Sequence, residues 1–173
     1  MDILILNYVQ NHLHNAFTDF IFPLITLLGN SGLIWVLAGV CLICSKKYRL
    51  YGVMLLAALM LTHTVGEIIL KQLVARPRPF VAFPGHRLLI AEPIGYSFPS
   101  GHAGSSFTAA FILRRANKKF GVPALLLAVL IAFSRVFLFV HYPSDILAGA
   151  ILGVFCAFFI CFLFKEDIKI SKI

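Results

Sequence analysis

Three short segments hold residue types that act on phosphate when they are brought together. The first is Lys71-x6-Arg78-Pro79, the second Pro99-Ser100-Gly101-His102, the third Ser134-Arg135-x5-His141-x3-Asp145. Lys71, Arg78 and Arg135 offer three cations, and a guanidinium fork matches non-bridging phosphate oxygens bidentately. A helix that opens at Pro99 leaves backbone N–H groups unpaired near Ser100 and Gly101, and these groups attract an anion with the positive end of the helix dipole. Pro143 suits the first turn of a helix, so Asp145 sits just inside that turn and its carboxylate can reach back to the His141 ring. A carboxylate on one ring nitrogen fixes the tautomer and leaves the other nitrogen free to attack. Together the residues read as a phosphoryl-transfer site. His141 attacks phosphorus in line, His102 protonates the leaving oxygen and then acts as base for water, and the cations stabilise the transition-state charge.

Taken singly, each segment has a plainer reading. Lys71 and Arg78 serve equally well as anchors that snorkel to a membrane surface. Pro99 to His102 can be a helix start and nothing more, and His141 an interfacial histidine. The seven Asp and Glu are scattered. They offer no acidic cluster for a two-metal site, so the expected chemistry uses no metal and no other cofactor.

The elements that must position these residues are apolar. The 173-residue chain is 60% hydrophobic and only 13% charged, against about a quarter charged in a soluble domain. It belongs in a bilayer. No cationic n-region precedes a short apolar stretch and a small-residue cleavage site, so the first membrane segment is expected to act as an uncleaved signal. Residues 1–15 mix polar and apolar types and read as an interfacial amphipathic helix. Residues 17–44 are largely apolar but interrupted at Gly29-Asn30-Ser31-Gly32, which marks either a kinked helix or a re-entrant piece before a span. Further spans are expected over 51–70, 99–115, 122–140 and 143–164. Residues 71–98 form a Pro-rich, basic connection whose patch Leu88-Leu89-Ile90 suits the interface, and 165–173 is a charged tail. The expected fold is one all-α domain over 1–173, a polytopic membrane helix bundle of five or six transmembrane segments with an N-terminal interfacial helix. Its chemistry lies within 71–145.

Net charge is +8. The cations lie between apolar runs, a pattern that reports topology and contact with anionic lipid rather than with nucleic acid. Of fifteen Lys and Arg, ten fall in three clusters: Lys46, Lys47, Arg49; Arg114, Arg115, Lys118, Lys119; and Lys165, Lys169, Lys172. The spans put all three on one face, which the positive-inside rule makes cytoplasmic. Lys71, Arg76, Arg78, Arg87 and Arg135 fall at the opposite face, where a bound anion is the simplest reason for them. Cys41, Cys44, Cys156 and Cys161 sit inside apolar runs and read as small buried hydrophobes. His63, Glu67 and Lys71 share one helix face, so Glu67 is expected to pair with Lys71 or His63. Arg76, His86 and Arg87 are placed to meet either a second phosphate of a diphosphate or ordinary lipid headgroups.

These segments resemble the motifs of the type 2 phosphatidic acid phosphatase superfamily. The match runs through Lys71, Arg78 and Pro79; Pro99, Ser100, Gly101 and His102; and Ser134, Arg135, His141 and Asp145, in order and spacing. The residues alone reach an anion site with paired histidines, and the resemblance supplies the word phosphatase. It implies the roles given above, a metal-free reaction and a compact helix bundle. It also implies a site on the extracytoplasmic side of a bacterial plasma membrane. The expected substrate is a lipid phosphate or diphosphate at the outer leaflet: undecaprenyl diphosphate, phosphatidylglycerol phosphate or phosphatidic acid. Two other readings stand beside it. One is a lipid phosphotransferase using the same phosphohistidine, and the other is an anion transporter or inactive membrane scaffold.

Overall fold

In hydrocarbon the backbone finds no water to bond with, so each apolar run satisfies its own N–H and C=O groups as a helix. The computed structural model describes residues 1–164. The charged tail and its cluster Lys165, Lys169 and Lys172 lie outside the described residues. Nine α-helices are described: α1 Asp2–His12, α2 Ala16–Leu28, α3 Leu33–Cys44, α4 Arg49–His63, α5 Lys71–Val74, α6 Pro79–Ala82, α7 Gly101–Ala116, α8 Lys118–Phe137 and α9 Pro143–Leu163. Among the described residues there is no strand. A π-helical turn, Thr64–Leu70, joins α4 to α5, the kind of irregularity often found beside functional residues.

Local chemistry sets the breaks. Asn15 caps α2 by accepting from the Thr18 N–H at 3.1 Å, while Thr18 Oγ1 accepts from the Asn15 N–H at 3.0 Å. The Gly29-Asn30-Ser31-Gly32 interruption is real: Ser31 has φ 51°, and α2 and α3 meet at a 43° bend. Three stretches are long and apolar enough to cross a bilayer: Arg49–Ala82, Lys118–Phe137 and Pro143–Leu163. The bent α2–α3 pair makes a fourth if taken as one span. The larger number expected from the apolar runs includes α7. That helix has 16 residues, a rise of about 24 Å against a hydrocarbon core of about 30 Å.

Helix α7 packs at the centre, against α4, α8 and α9. Its small residues allow close approach. Gly149 and Gly153 of α9 lie directly on the α7 backbone, where an added Cβ would meet the carbonyls of Ser100 and Gly104. Small residues one turn apart let membrane helices touch without a hydrophobic drive between them. Buried hydroxyls add polar contacts: Thr108 Oγ1 lies 2.8 Å from Thr62 Oγ1 and donates within reach of the carbonyls of Gly104 and Gly153. Trp35 Nε1 on α3 donates to Ser106 Oγ at 3.0 Å. Cys156 and Cys161 are buried as expected, whereas Cys41 and Cys44 are exposed on α3.

A second cluster forms around the α8–α9 turn. Leu6 and Val9 of α1 are buried there with Val136, Phe137, Leu138, Phe139, Val140 and Tyr142. Leu88 and Ile90 pack onto the same cluster, so the apolar patch of the long connection serves that core. At the other end of the bundle, Asn117 Nδ2 donates to the Tyr48 hydroxyl at 3.1 Å. That bond ties the α3–α4 turn to the α7–α8 turn and brings together the two basic clusters that are described.

The α7–α9 contact makes a clear prediction. Gly153→Val forces the helices apart and is expected to destabilise the fold by about 1–3 kcal/mol. Thermal unfolding in detergent should show a lower Tm, and an unchanged Tm would mean that the helices do not meet at Gly153.

Candidate active site

At the end away from the basic turns lies a cavity of about 730 Å³. Its wall is built from Lys71 beyond the π turn, Arg78 ahead of α6, and Ser100, Gly101 and His102 at the start of α7. Arg135 from the last turn of α8 and His141 from the α8–α9 turn complete it. Asp145 sits behind His141 in the first turn of α9 and has no exposed surface. The structure therefore gathers the chemical residues of the three segments at one place.

The α8–α9 turn explains how Arg135 and His141 become neighbours. Phe139 adopts a left-handed backbone, φ 59°, and the chain doubles back so that the N–H groups of Val140 and His141 both donate to the Arg135 carbonyl, at 3.1 and 3.2 Å. Residues held in that region commonly accompany functional sites. The His141 ring then stands between two environments. Its Nε2 faces the cavity, 3.2 Å from Arg78 Nη1. Its Nδ1 faces Ser97 Oγ at 3.4 Å and Asp145 Oδ2 at 3.5 Å. The acceptors on the Nδ1 side assign the ring proton there and leave the Nε2 lone pair towards the cavity. Burial pushes the His141 pKa down to about 3; Asp145 opposes this, and Arg135 and Arg78 reinforce it. The imidazole is neutral at physiological pH, the form that can act as a nucleophile.

The direct contact expected between Asp145 and His141 is present, as a long ion-pair contact of Nδ1 with Oδ2. At 3.5 Å it is longer than a hydrogen bond. Ser97 closes the gap: its hydroxyl donates to Asp145 Oδ2 and lies on the Nδ1 side of the ring. Oδ2 also accepts from the Tyr142 N–H at 2.9 Å.

The three cations are held differently. Lys71 Nζ donates to Glu67 Oε2 at 2.7 Å, the pairing expected on that face. Arg78 is largely committed to the backbone, donating to the carbonyls of Gly95, Val140 and Ile94. It pins the long connection to the His141 turn. Arg135 donates Nη1 to Thr26 Oγ1 at 2.6 Å, while its Nε is buried with no partner. A buried donor without an acceptor is rare and marks a place where an acceptor fits. Ser100 accepts from the Ala103 N–H as the α7 cap, and its own O–H remains able to donate. The first N–H groups of α7 have no intrahelical partners.

His102 is oriented from the α2–α3 break. Its Nε2 is 3.1 Å from Asn30 Oδ1. Gly29 makes room for the ring, since a Cβ there would lie 2.7 Å from His102 Cδ2. Asn30, Thr26 and Ser97 were not singled out from the sequence. For Asn30 the signal was the break itself; for Ser97 it was its place just ahead of Pro99-Ser100-Gly101-His102; Thr26 had none. Arg76, His86 and Arg87 do not line the cavity. Arg76 turns to Asp145 and Asp2. His86 stacks on Phe139 with ring centroids 4.0 Å apart, and Arg87 is exposed. A contact from these three to a second phosphate is not what the structure presents.

Fold and site together define an integral membrane protein with a cationic, histidine-bearing cavity. The chain belongs to the PAP2 superfamily, whose family model matches residues 47–169. It is 33% identical over 126 residues to an undecaprenyl-diphosphatase of Sulfolobus acidocaldarius, an alignment covering 72% of this chain and 61% of that one. It is 35% identical over 116 residues to the bacitracin transport permease protein BcrC of Bacillus licheniformis, covering 67% of this chain and 57% of that one. The chain thus spans less than two thirds of the length of these curated relatives. The crystal structure of LpxE from Aquifex aeolicus superposes with a TM-score of 0.81 at 27% identity, over 92% of this chain and 93% of that one.

The unpaired Arg135 Nε leads to a binding prediction that needs no turnover. Inorganic phosphate should raise the Tm of the detergent-purified protein, by a free energy of about 2.7 kcal/mol at a hundredfold excess over Kd. Arg135→Met should abolish most of that gain. Equal stabilisation of both proteins would place the anion elsewhere.

Proposed function

We propose that the protein is a lipid phosphatase that works through a phosphohistidine on His141. One observation carries the reading: the His141 Nε2 lone pair faces a cavity walled by Lys71, Arg78 and Arg135, while the opposite ring nitrogen is backed by Ser97 and a buried Asp145. In the proposed reaction Nε2 attacks phosphorus, the P–O bond to the leaving group breaks, and His102 gives that oxygen its proton. Water deprotonated by His102 then attacks the phosphohistidine, and inorganic phosphate leaves. The lining of cations disfavours a catalytic metal cation in the same space, which supports metal-independent chemistry.

The other walls of the cavity carry Val36, Leu56, Leu59, Met60 and Leu152. An apolar wall continuous with a phosphate end suits a lipid. The printed activity of the undecaprenyl-diphosphatase relative supports a polyprenyl diphosphate as the first substrate to test. Sidedness follows from charge: the described basic clusters lie at the opposite end, so the positive-inside rule supports an active site at the outer leaflet of the plasma membrane.

The test is phosphate release in detergent with EDTA present, from undecaprenyl diphosphate, phosphatidylglycerol phosphate and phosphatidic acid. Release should survive EDTA and vanish in His141→Ala. A folded protein that releases phosphate from none of them refutes the reading, and transport assays would then address the permease name that one relative carries. The Asn30 contact adds a second prediction. Loss of the general acid–base costs about 10²–10⁴-fold in His102→Ala, and Asn30→Ala should show a smaller fall in kcat with little change in KM. An Asn30→Ala enzyme with wild-type kcat would show that the His102 ring needs no such tether.

A further inference from the structure

Among the described residues, Arg76 is the one cation that joins two carboxylates. Its Nη1 donates to Asp145 Oδ1 at 2.7 Å and to Ser144 Oγ at 2.7 Å, and its Nη2 donates to Asp2 Oδ2 at 2.8 Å. The guanidinium lies 3.7 Å above the Tyr142 ring. Asp2 is held in turn by the first turn of α9: its Oδ1 accepts from the Ser144 N–H at 3.0 Å and its Oδ2 from the Ser144 hydroxyl. The burial of Leu6 and Val9 and a bond from Gln10 Nε2 to the Phe137 carbonyl keep α1 docked on this turn. The first helix of the chain is therefore connected to the carboxylate behind His141 through a single arginine.

We propose that Arg76 and Asp2 are positioning residues for Asp145, with Arg76 fixing the carboxylate and Asp2 offsetting the charge of Arg76. The geometry of Asp145 carries the first half. Arg76 occupies Oδ1, so Oδ2 is the oxygen turned to Ser97, the Tyr142 N–H and the His141 ring. The second half is electrostatic. The His141 ring meets positive charge from Arg78 on the connection and Arg135 on α8, with Lys71 beyond them already paired to Glu67, and His102 on α7 adds to it whenever it holds the proton it gives to the leaving group. Among the described residues, Asp145 is the only carboxylate in contact with the ring. An arginine paired with Asp145 alone would cancel the field that the imidazole needs as it gains positive charge on attacking phosphorus. A second carboxylate on the same guanidinium leaves the group as a whole negative. The hydrogen bonds to Arg76 and Ser144 hold the Asp2 carboxyl below its usual pKa, although partial burial works to raise it, so the compensating charge is present at neutral pH.

The inference rests on His141 being the nucleophile, and the experiment separates the two. The full chain, with any tag at the C-terminus, is assayed on a lipid diphosphate and a lipid monophosphate as wild type, Arg76→Gln, Asp2→Asn, Asp2→Glu and the Arg76→Gln/Asp2→Asn double variant. Misplacing a catalytic group costs up to about a hundredfold in rate. Arg76→Gln is expected to lower kcat about ten- to a hundredfold on both lipids with KM unchanged, the signature of an interaction realised in the transition state. Asp2→Asn should lower kcat by less, Asp2→Glu should recover most of that loss, and Asp2→Asn should add nothing in the Arg76→Gln background. A rise in KM for the diphosphate alone would make Arg76 a substrate contact and overturn the inference. Wild-type kcat in both single variants, or a fall in Tm with kcat per folded molecule unchanged, would overturn it while leaving the phosphatase reading standing. A wild type inert on every lipid would overturn that reading and this inference with it. Should Arg76→Gln fail to fold, the Asp2→Asn and Asp2→Glu pair still decides the matter.

Discussion

The carboxylate of Asp145 is the point on which the site end of this structure depends. A fully buried anion is strongly unfavourable unless it is paired and hydrogen-bonded, and here every bond comes from a different part of the chain. Arg76 arrives from the connection after α5, Ser97 from the segment before α7, and the Tyr142 N–H from the α8–α9 turn. The backbone carbonyl of the same residue accepts from the Ser100 N–H that opens α7. Satisfying one charge thus fixes the relative positions of the three segments that carry the chemistry. That role is structural whatever the chemistry, since removing one partner of a buried pair leaves the other uncompensated.

The cations on the far side of His141 pose the opposite problem. Arg78 and Arg135 are both buried, close enough to raise each other's energy, and only Lys71 has a carboxylate partner in the cavity wall. Arg78 is stabilised by backbone carbonyls and Arg135 by Thr26, neutral acceptors that leave the positive potential in place. The potential is relieved by an anion. Because the dipoles and cations are set before the ligand arrives, little reorganisation accompanies binding, which is the condition under which such groups act most strongly on a transition state.

Much of this was legible in the residues. Lys71, Arg78, Ser100, Gly101, His102, Arg135, His141 and Asp145 announce themselves because charge, proline and glycine inside an apolar chain each require a reason. The Glu67–Lys71 pair follows from helical spacing. What stayed hidden has a common cause. Asn30 and Ser97 are short polar residues in breaks and Asp2 opens the polar-tolerant α1, where composition gives no surprise, and their partners lie at sequence separations of 72, 48 and 74 residues. Arg76 was placed to meet either a second phosphate or lipid headgroups because it falls at the same face as Lys71, Arg78 and Arg135. Its direction is set by two carboxylates that only the fold brings to it. Helix α7, one of the expected spans, has 16 residues and meets its neighbours through small residues, a composition that reflects close helix contact.

The division of labour within the cavity bears on specificity. At the phosphate end, donors are fixed by bonds to the backbone, to Thr26 and to Asn30, so rotations there are restricted. Along the opposite wall, Val36, Leu56, Leu59, Met60 and Leu152 present flexible or branched apolar side chains, and Met60 itself is 73% exposed at the bundle surface. An apolar wall distinguishes lipids that differ by a methylene only weakly, whereas a polar site rejects a ligand that leaves its buried donors unpaired. If the ligand is a lipid phosphate, as proposed, discrimination falls chiefly on its head. Under the lipid reading, the tail would contribute affinity through burial along the apolar wall, with the head setting the choice of ligand.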